Sequence, residues 1–181
     1  MRLWAASDNR ASIKTCERGG FRRVCEAANI YASLHTKRKT PVIPPSHPSR
    51  ALVESCLRSK YLSKMNGYIG RKWHILKPTA RLLTQLEEEG ELYAVEGSIL
   101  LITKPEKRFR HFQSSLTILS GSPSKSLRTA KEIARHLNAR VLSSYIPYDR
   151  YQISVAKRLG FRRPAWGKHC YVFEKKTSQD S

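Results

Sequence analysis

The sequence predicts a mixed α/β fold, and three observations carry that prediction. Apolar residues recur at helical spacing in some stretches and at strand spacing in others, and the two kinds of stretch alternate. Glycines, prolines and short polar side chains fall at the junctions between them, where caps and turns need them. One strand–helix–strand unit also occurs twice, at a constant offset of 140 residues.

The elements follow in chain order. Arg2 to Ala6 reads as a short strand. Ser7, Asp8 and Asn9 supply cap chemistry for a helix from Ala11 to Arg18, which Gly19 and Gly20 stop. Phe21 to Tyr31 resumes as a strand. Residues 35–50 contain four prolines and the run Lys37-Arg38-Lys39, a density that suits a linker or an extended strap. Ala51 to Lys64 reads as one helix, and Gly67 and Gly70 break the chain after it. Pro78 suits the first turn of a helix that runs to Gly90 with Leu82, Leu83 and Leu86 on one face. Glu91 to Thr103 predicts a hairpin turning at Glu96-Gly97, and Phe112 to Leu119 another strand. Gly121, Ser122 and Pro123 make a turn and cap before an amphipathic helix from Ser126 to Asn138. Arg140 to Ile146 is a strand, and Asp149 caps a helix from Tyr151 to Leu159 that ends at Gly160. Trp166 to Glu174 is the last strand, and residues 177–181 read as a tail. The expected organisation is therefore a strand–helix–strand fragment over 1–34, a basic proline-rich linker over 35–50, a main domain over 51–176, and the tail.

Of 181 residues, 34 are Lys or Arg and 14 are Asp or Glu, a net charge of +20. With 40% hydrophobic residues the chain can bury a core, which excludes a wholly disordered basic tail. The excess charge suits a polyanionic partner such as nucleic acid, an acidic membrane or a phosphorylated cofactor. No stretch approaches the roughly 20 apolar residues of a membrane span. Met1 to Arg10 does not build a signal peptide, so a cytoplasmic protein without membrane attachment is expected. Cys16, Cys25, Cys56 and Cys170 form no Cys-x-x-Cys pair, and the six histidines are scattered singly, so no metal site is expected.

The repeat aligns Asn9–Arg23 with Asp149–Arg163, with seven identities in fifteen positions. Arg10, Ile13, Arg18 and the run Gly20-Phe21-Arg22-Arg23 match Arg150, Ile153, Arg158 and Gly160-Phe161-Arg162-Arg163. The unit is a strand, a capped two-turn helix, a glycine stop and a phenylalanine entering the core. It resembles the C-terminal part of the GNAT superfamily of N-acetyltransferases, whose pattern there is Asn-x-x-Ala-x-x-Leu-Tyr-x-Lys-x-Gly-Phe. Asn9, Arg18, Gly20 and Phe21 fit it, and Cys16 stands at the tyrosine position. The second copy has Asp149 at the asparagine position and Ala156 at the tyrosine position. The element order over 75–176 also resembles one nearly whole, degenerate domain of that family, and 1–34 the last third of another.

The resemblance implies a mostly antiparallel sheet flanked by helices, with one parallel strand pair that splays apart. It implies acetyl-CoA as cofactor and transfer of its acetyl group to an amine on a small molecule or a protein. The phosphate-binding loop corresponds to Gly121, Ser122, Ser124, Lys125 and Ser126, at the start of a helix whose free amides attract anions. Asn9 is carried over from the first copy as a further cofactor contact. That loop lacks the family's paired glycines, and Pro123 removes one amide. With Ala156 at the tyrosine position, the proton donors left for consideration are Tyr148, Tyr151 and Cys16.

Two other classes fit parts of the chain. One is a non-catalytic domain of the same shape that binds a partner or forms a homodimer. The other is a winged-helix DNA binder, with the helix from Pro78, the hairpin over 91–103 as the wing, and the basic stretch Lys104 to Arg110 on phosphate. Glu87-Glu88-Glu89 at the wing end of that helix argues against it.

Overall fold

The computed structural model describes residues 2–35, 43–46, 49–71, 74–108, 111–165 and 167–175. One mixed sheet carries the molecule. Its path is β1 (Arg2–Ala6), β10 (His169–Glu174), β2 (Arg22–Ser33), β9 (Val141–Pro147), β8 (His111–Ser120), β6 (Ser98–Ile102) and β5 (Leu92–Val95), with β7 (Glu106–Arg108) beside β8. All its pairings are antiparallel except β8 with β9, which is parallel.

Strand alternation divides the core into two layers. On one face, α5 (Pro123–His136) and α6 (Arg150–Arg158) bury Leu127, Ile133 and Val155 against Leu100, Leu116 and Ile146. On that face α1 (Arg10–Arg18) covers the β1 edge, with Cys16 against Ala5 and Phe173. On the other face, α2 (Arg50–Leu57) and α4 (Ala80–Glu88) bury Val53, Cys56 and Leu86 against Leu101 and Leu119. There the short α3 (Lys60–Lys64) and the hairpin of β3 (Ile69–Arg71) with β4 (His74–Leu76) complete the layer. Among the described residues no helix is long and apolar enough to cross a membrane.

The repeat has a structural counterpart. β1, α1 and β2 form one unit, and β9, α6 and β10 the other. Each unit gives its last strand to the other's first: β10 pairs with β1, and β2 pairs with β9. The two last strands pair with each other, with Ala27 opposite Cys170 near the middle. The likeness reaches single bonds. Asn9 and Asp149 cap α1 and α6 by accepting from Ser12 N and Gln152 N. Gly20 and Gly160 take φ of 78° and 80° beyond the helix ends. The adjacent carbonyls, Gly19 O and Leu159 O, each accept from a lysine at 2.9 Å, from Lys175 just after β10 and from Lys131 on α5.

Several expectations need correction. The single helix over 51–64 is two helices, because the chain turns at Arg58 and the Ser59 hydroxyl caps a new start by accepting from Leu62 N. Pro78 lies before the cap rather than inside the helix; Thr79 caps α4. Gly70 is a strand residue of the β3–β4 hairpin, not a break. The helix expected from Ser126 starts at Pro123, which occupies the first-turn position that tolerates proline. The last strand starts at His169; Trp166 lies outside the described residues, as do the Lys37-Arg38-Lys39 run and the 177–181 tail. The hairpin turning at Glu96 and Gly97, both at positive φ, is present. It is not a wing, because β6 pairs with β8 inside the sheet. The acidic end of α4 is an internal clamp: Arg71 on β3 bonds to both Glu89 and Glu91.

Candidate functional site

The parallel pair builds the site. β8 and β9 pair from Gln113–Val141 through Leu116–Ser144 and then part company. β8 runs on to Ser120 and β9 to Pro147 without pairing each other, which leaves a V opening towards their C-terminal ends. This is the splayed pair expected from the sequence. Carboxyl ends of diverging strands are where open α/β sheets bind ligands.

One arm of the V leads into a helix start. Ser120 ends β8, Gly121 turns, and α5 begins at Pro123. Gly121 has φ 108°, and a Cβ there would lie 2.3 Å from Ser98 Oγ, so no other residue fits without moving β6. Ser122 stands at the cap of α5, and its side chain makes no capping bond to the helix. Pro123 has no N–H, and Ser126 N bonds back to Ser122 O at 2.9 Å. The first-turn amides of Ser124 and Lys125 are left without an intrahelical acceptor. Lys125 is exposed beside them, whereas Ser126 is buried and donates to Ser98 Oγ at 3.0 Å. These residues fit a phosphate group: two amides, a hydroxyl, an ammonium group and the positive end of a fourteen-residue helix.

The mouth of the V is bridged by α3. Ser59 donates to Leu119 O, on the β8 arm, at 2.6 Å. Lys64 Nζ lies 3.0 Å from Asp149 Oδ2, just beyond the β9 arm. Tyr61 stands between these two anchors and is buried in the core shared by α5 and α6. Its hydroxyl has no hydrogen-bond partner among the described residues, and neither has Oε1 of the buried Gln152, whose backbone N–H donates to Asp149 Oδ1. Burial first, and then the Asp149 carboxylate, push the Tyr61 phenol far above its ordinary range, so it holds its proton. On the same face as α3, β3 closes the V: Thr117 donates to Gly70 O, and Gly70 packs on Tyr145 so closely that a Cβ would meet its ring at 2.9 Å.

The structure brings Gly121, Ser122, Ser124, Lys125 and Ser126 together at this helix start. It does not bring Asn9 or Cys16 to it. Asn9 caps α1 and Cys16 packs under α1, on the far side of β10 and β2 from the V. Tyr151 is on the first turn of α6 and 61% exposed. Tyr148 turns towards β10 and packs on His169, with ring centroids 4.6 Å apart. Ala156, at the tyrosine position of the second copy, is buried. Tyr61, Lys64 and Gln152 are the residues that sequence reasoning missed. The available signal was Ser59, a cap residue in the middle of what reads as one helix.

No protein-family model matches the sequence, and none of the curated proteins does. Solved structures match the fold. One is a candidate acetyltransferase from Thermoplasma acidophilum, with a TM-score of 0.56 and 12% identity, covering 97% of this chain. Another is a GCN5-related N-acetyltransferase from Sphaerobacter thermophilus, with a TM-score of 0.51 and 13% identity, covering 96% of this chain. The chain spans 55% and 58% of the lengths of these two proteins.

Proposed function

From a chain with the fold of the N-acetyltransferases just described, we propose that it binds acetyl-CoA in the V between β8 and β9 and transfers the acetyl group to an amine. The observation that carries the proposal is the parting of the parallel pair after Leu116 and Ser144, with α5 starting at the end of one arm.

In this reading Ser122, the amides of Ser124 and Lys125, and the Lys125 ammonium hold the pyrophosphate. Gly121 lets the backbone turn close enough for them to converge. Acetyl-CoA supplies the activated acyl carbon; a C–N bond forms to the amine and the C–S bond breaks. The amine gives up a proton to solvent, and the leaving thiolate takes one. Tyr61 is the hydroxyl that the buried arrangement offers: it keeps its proton and has no hydrogen-bond partner among the described residues, so it can donate a hydrogen bond to the departing sulfur while the proton itself comes from solvent. The acceptor amine is a small molecule or a protein side chain, and the site as described favours neither.

Calorimetry with CoA tests the proposal. Binding at one site per chain in the micromolar range is the expected result. Lys125→Glu places a negative charge beside the pyrophosphate and is expected to weaken binding about tenfold, the scale of one charge-assisted contact. Absence of CoA binding, or equal affinity in that variant, contradicts it.

A further inference from the structure

The sheet's two helical faces differ in charge. On one face α1, α5 and α6 carry three, four and three lysines and arginines against two glutamates. On the other, α2, α3 and α4 carry four against three. The excess carried by the helices is therefore gathered on one side, and two clefts rich in cations lie at the C-terminal end of α6, away from Asp149 and the V.

Two clefts flank that end. One, of about 320 Å³, has an apolar floor of Ile30, Ile153 and Phe161 and a rim of Lys157, Arg162 and Arg163. The other, of about 530 Å³, lies between α5 and α6 and is lined by Arg128, Lys131, Arg135 and Arg158, with Glu132 the one carboxylate among its lining residues. Arg163 connects the first cleft to a row of rings. Its guanidinium lies 5.6 Å from the Tyr148 ring centroid, Tyr148 packs on His169, and His169 packs on Tyr171 with centroids 5.3 Å apart. Arg23 lies over the far side of that row, 3.6 Å from the Tyr171 centroid, and pairs with Glu26. Tyr148 is 41% exposed.

We infer that this face binds single-stranded nucleic acid, with a base seated in the recess over Phe161 and stacked towards Tyr148, and with phosphates on the cations at the end of α6. The chemistry on both sides of the contact matches. The partner has to be a polyanion, because cations line two clefts on either side of one helix end and few acids oppose them. It has to present flat apolar groups between its charges, because the apolar recess and the ring row lie within the cationic zone rather than apart from it. Aromatic platforms interleaved with arginine are how single strands are held without sequence readout. A duplex keeps its bases stacked inside and cannot fill the recess. An acidic vesicle offers charge but no ring for it. This inference does not rest on acetyl transfer, because none of its residues belongs to the α5 start.

The test is fluorescence anisotropy of the full chain with a labelled single-stranded RNA of about 12 nucleotides, within the usual span of such sites. Saturable binding is expected, with the logarithm of affinity falling against the logarithm of salt at a slope of about −3. That is the value for four phosphates on Lys157, Arg158, Arg162 and Arg163 at about −0.7 each. The double variant Lys157→Glu/Arg162→Glu is expected to bind at least about tenfold more weakly, two contacts being reversed. Tyr148→Ala, at an exposed position, is expected to cost about fivefold or more, the lower range for one stacked base. A control, Arg10→Glu/Lys14→Glu on α1, is expected to lose less than about threefold, since only screened long-range attraction changes. Circular dichroism melting shows that each variant is folded. Four results overturn the inference: no binding of the single strand, equal binding of a duplex, indifference to Tyr148→Ala, or an equal loss in the α1 control. Binding to phosphatidylserine vesicles with none to RNA overturns it as well.

Discussion

Ala156 stands where the resemblance would place a tyrosine, and Tyr61 on α3 is the buried hydroxyl proposed to act in its stead. The stretch of α6 that resembles the family pattern offers a buried alanine, and α3 offers a buried phenol with no hydrogen-bond partner among the described residues. Replacing Tyr61 by Phe separates a structural from a chemical role. The hydroxyl makes no bond to the described residues, so the variant is expected to melt at the same temperature as the parent or slightly above it. CoA affinity is expected to stay within about twofold, while kcat falls by about 100-fold or more, the scale of one lost transition-state hydrogen-bond donor. An unchanged kcat removes Tyr61 from the chemistry. Cysteines make a second prediction at this scale. Burial raises the Cys25 thiol from 9.0 to about 11, and burial, with a smaller effect of Cys25, raises Cys170 to about 12. The unfolded chain ionises these thiols near 9.0 while the folded chain keeps them protonated, so folding favours the protonated form. That stability is complete below about pH 9 and declines as pH rises towards 12. Denaturant melts across that range are expected to show it, and Cys25→Ala/Cys170→Ala to flatten the slope. The single residues at the α5 start were legible because glycine, serine and lysine before an amphipathic run already mark a helix start. Tyr61 was not, since its importance comes from what lies opposite it in space.

At the scale of elements, the β3–β4 hairpin and α3 hold the V in shape. Arg71 bonds to Glu91, which is nearly buried, and to Glu89 at the end of α4. Arg71→Ala leaves a buried carboxylate without its partner and is expected to cost about 3 kcal/mol, read as a shift in denaturant midpoint. The Lys64–Asp149 pair is far more exposed, and Lys64→Ala is expected to cost at most about 1 kcal/mol. Periodicity revealed most of these elements: the strands at 2–6, 111–120 and 141–147 and the hairpin at 92–102 lie where apolar spacing and turn residues put them. It failed at α2–α3, where Ser59 interrupts a continuous amphipathic pattern, and at β3–β4. There Ile69-Gly70-Arg71 is too short to show a period and is held by tertiary bonds from Thr117 and Glu91.

For the whole molecule, the exchange of last strands means that residues 1–34 are part of the core. β2 lies between β10 and β9, and Ala28 and Ile30 are buried under α6's layer. Expressing 35–181 alone is expected to give a chain without a cooperative thermal transition, because it exposes β9 and removes β2's pairing with β10. A cooperative transition near that of the full chain contradicts the exchange. The sequence repeat announced two similar units. It could not say that they trade strands, since identical capping and stop residues serve either pairing.

The account's central claim is that the V and the α5 start hold a CoA thioester. An amide-resolved NMR titration of the full chain with CoA tests it most directly. Saturable shifts at Ser124 and Lys125 and along Thr117 to Ser120 are the predicted result. Shifts confined to the cationic clefts around the end of α6, or none at any concentration, contradict it.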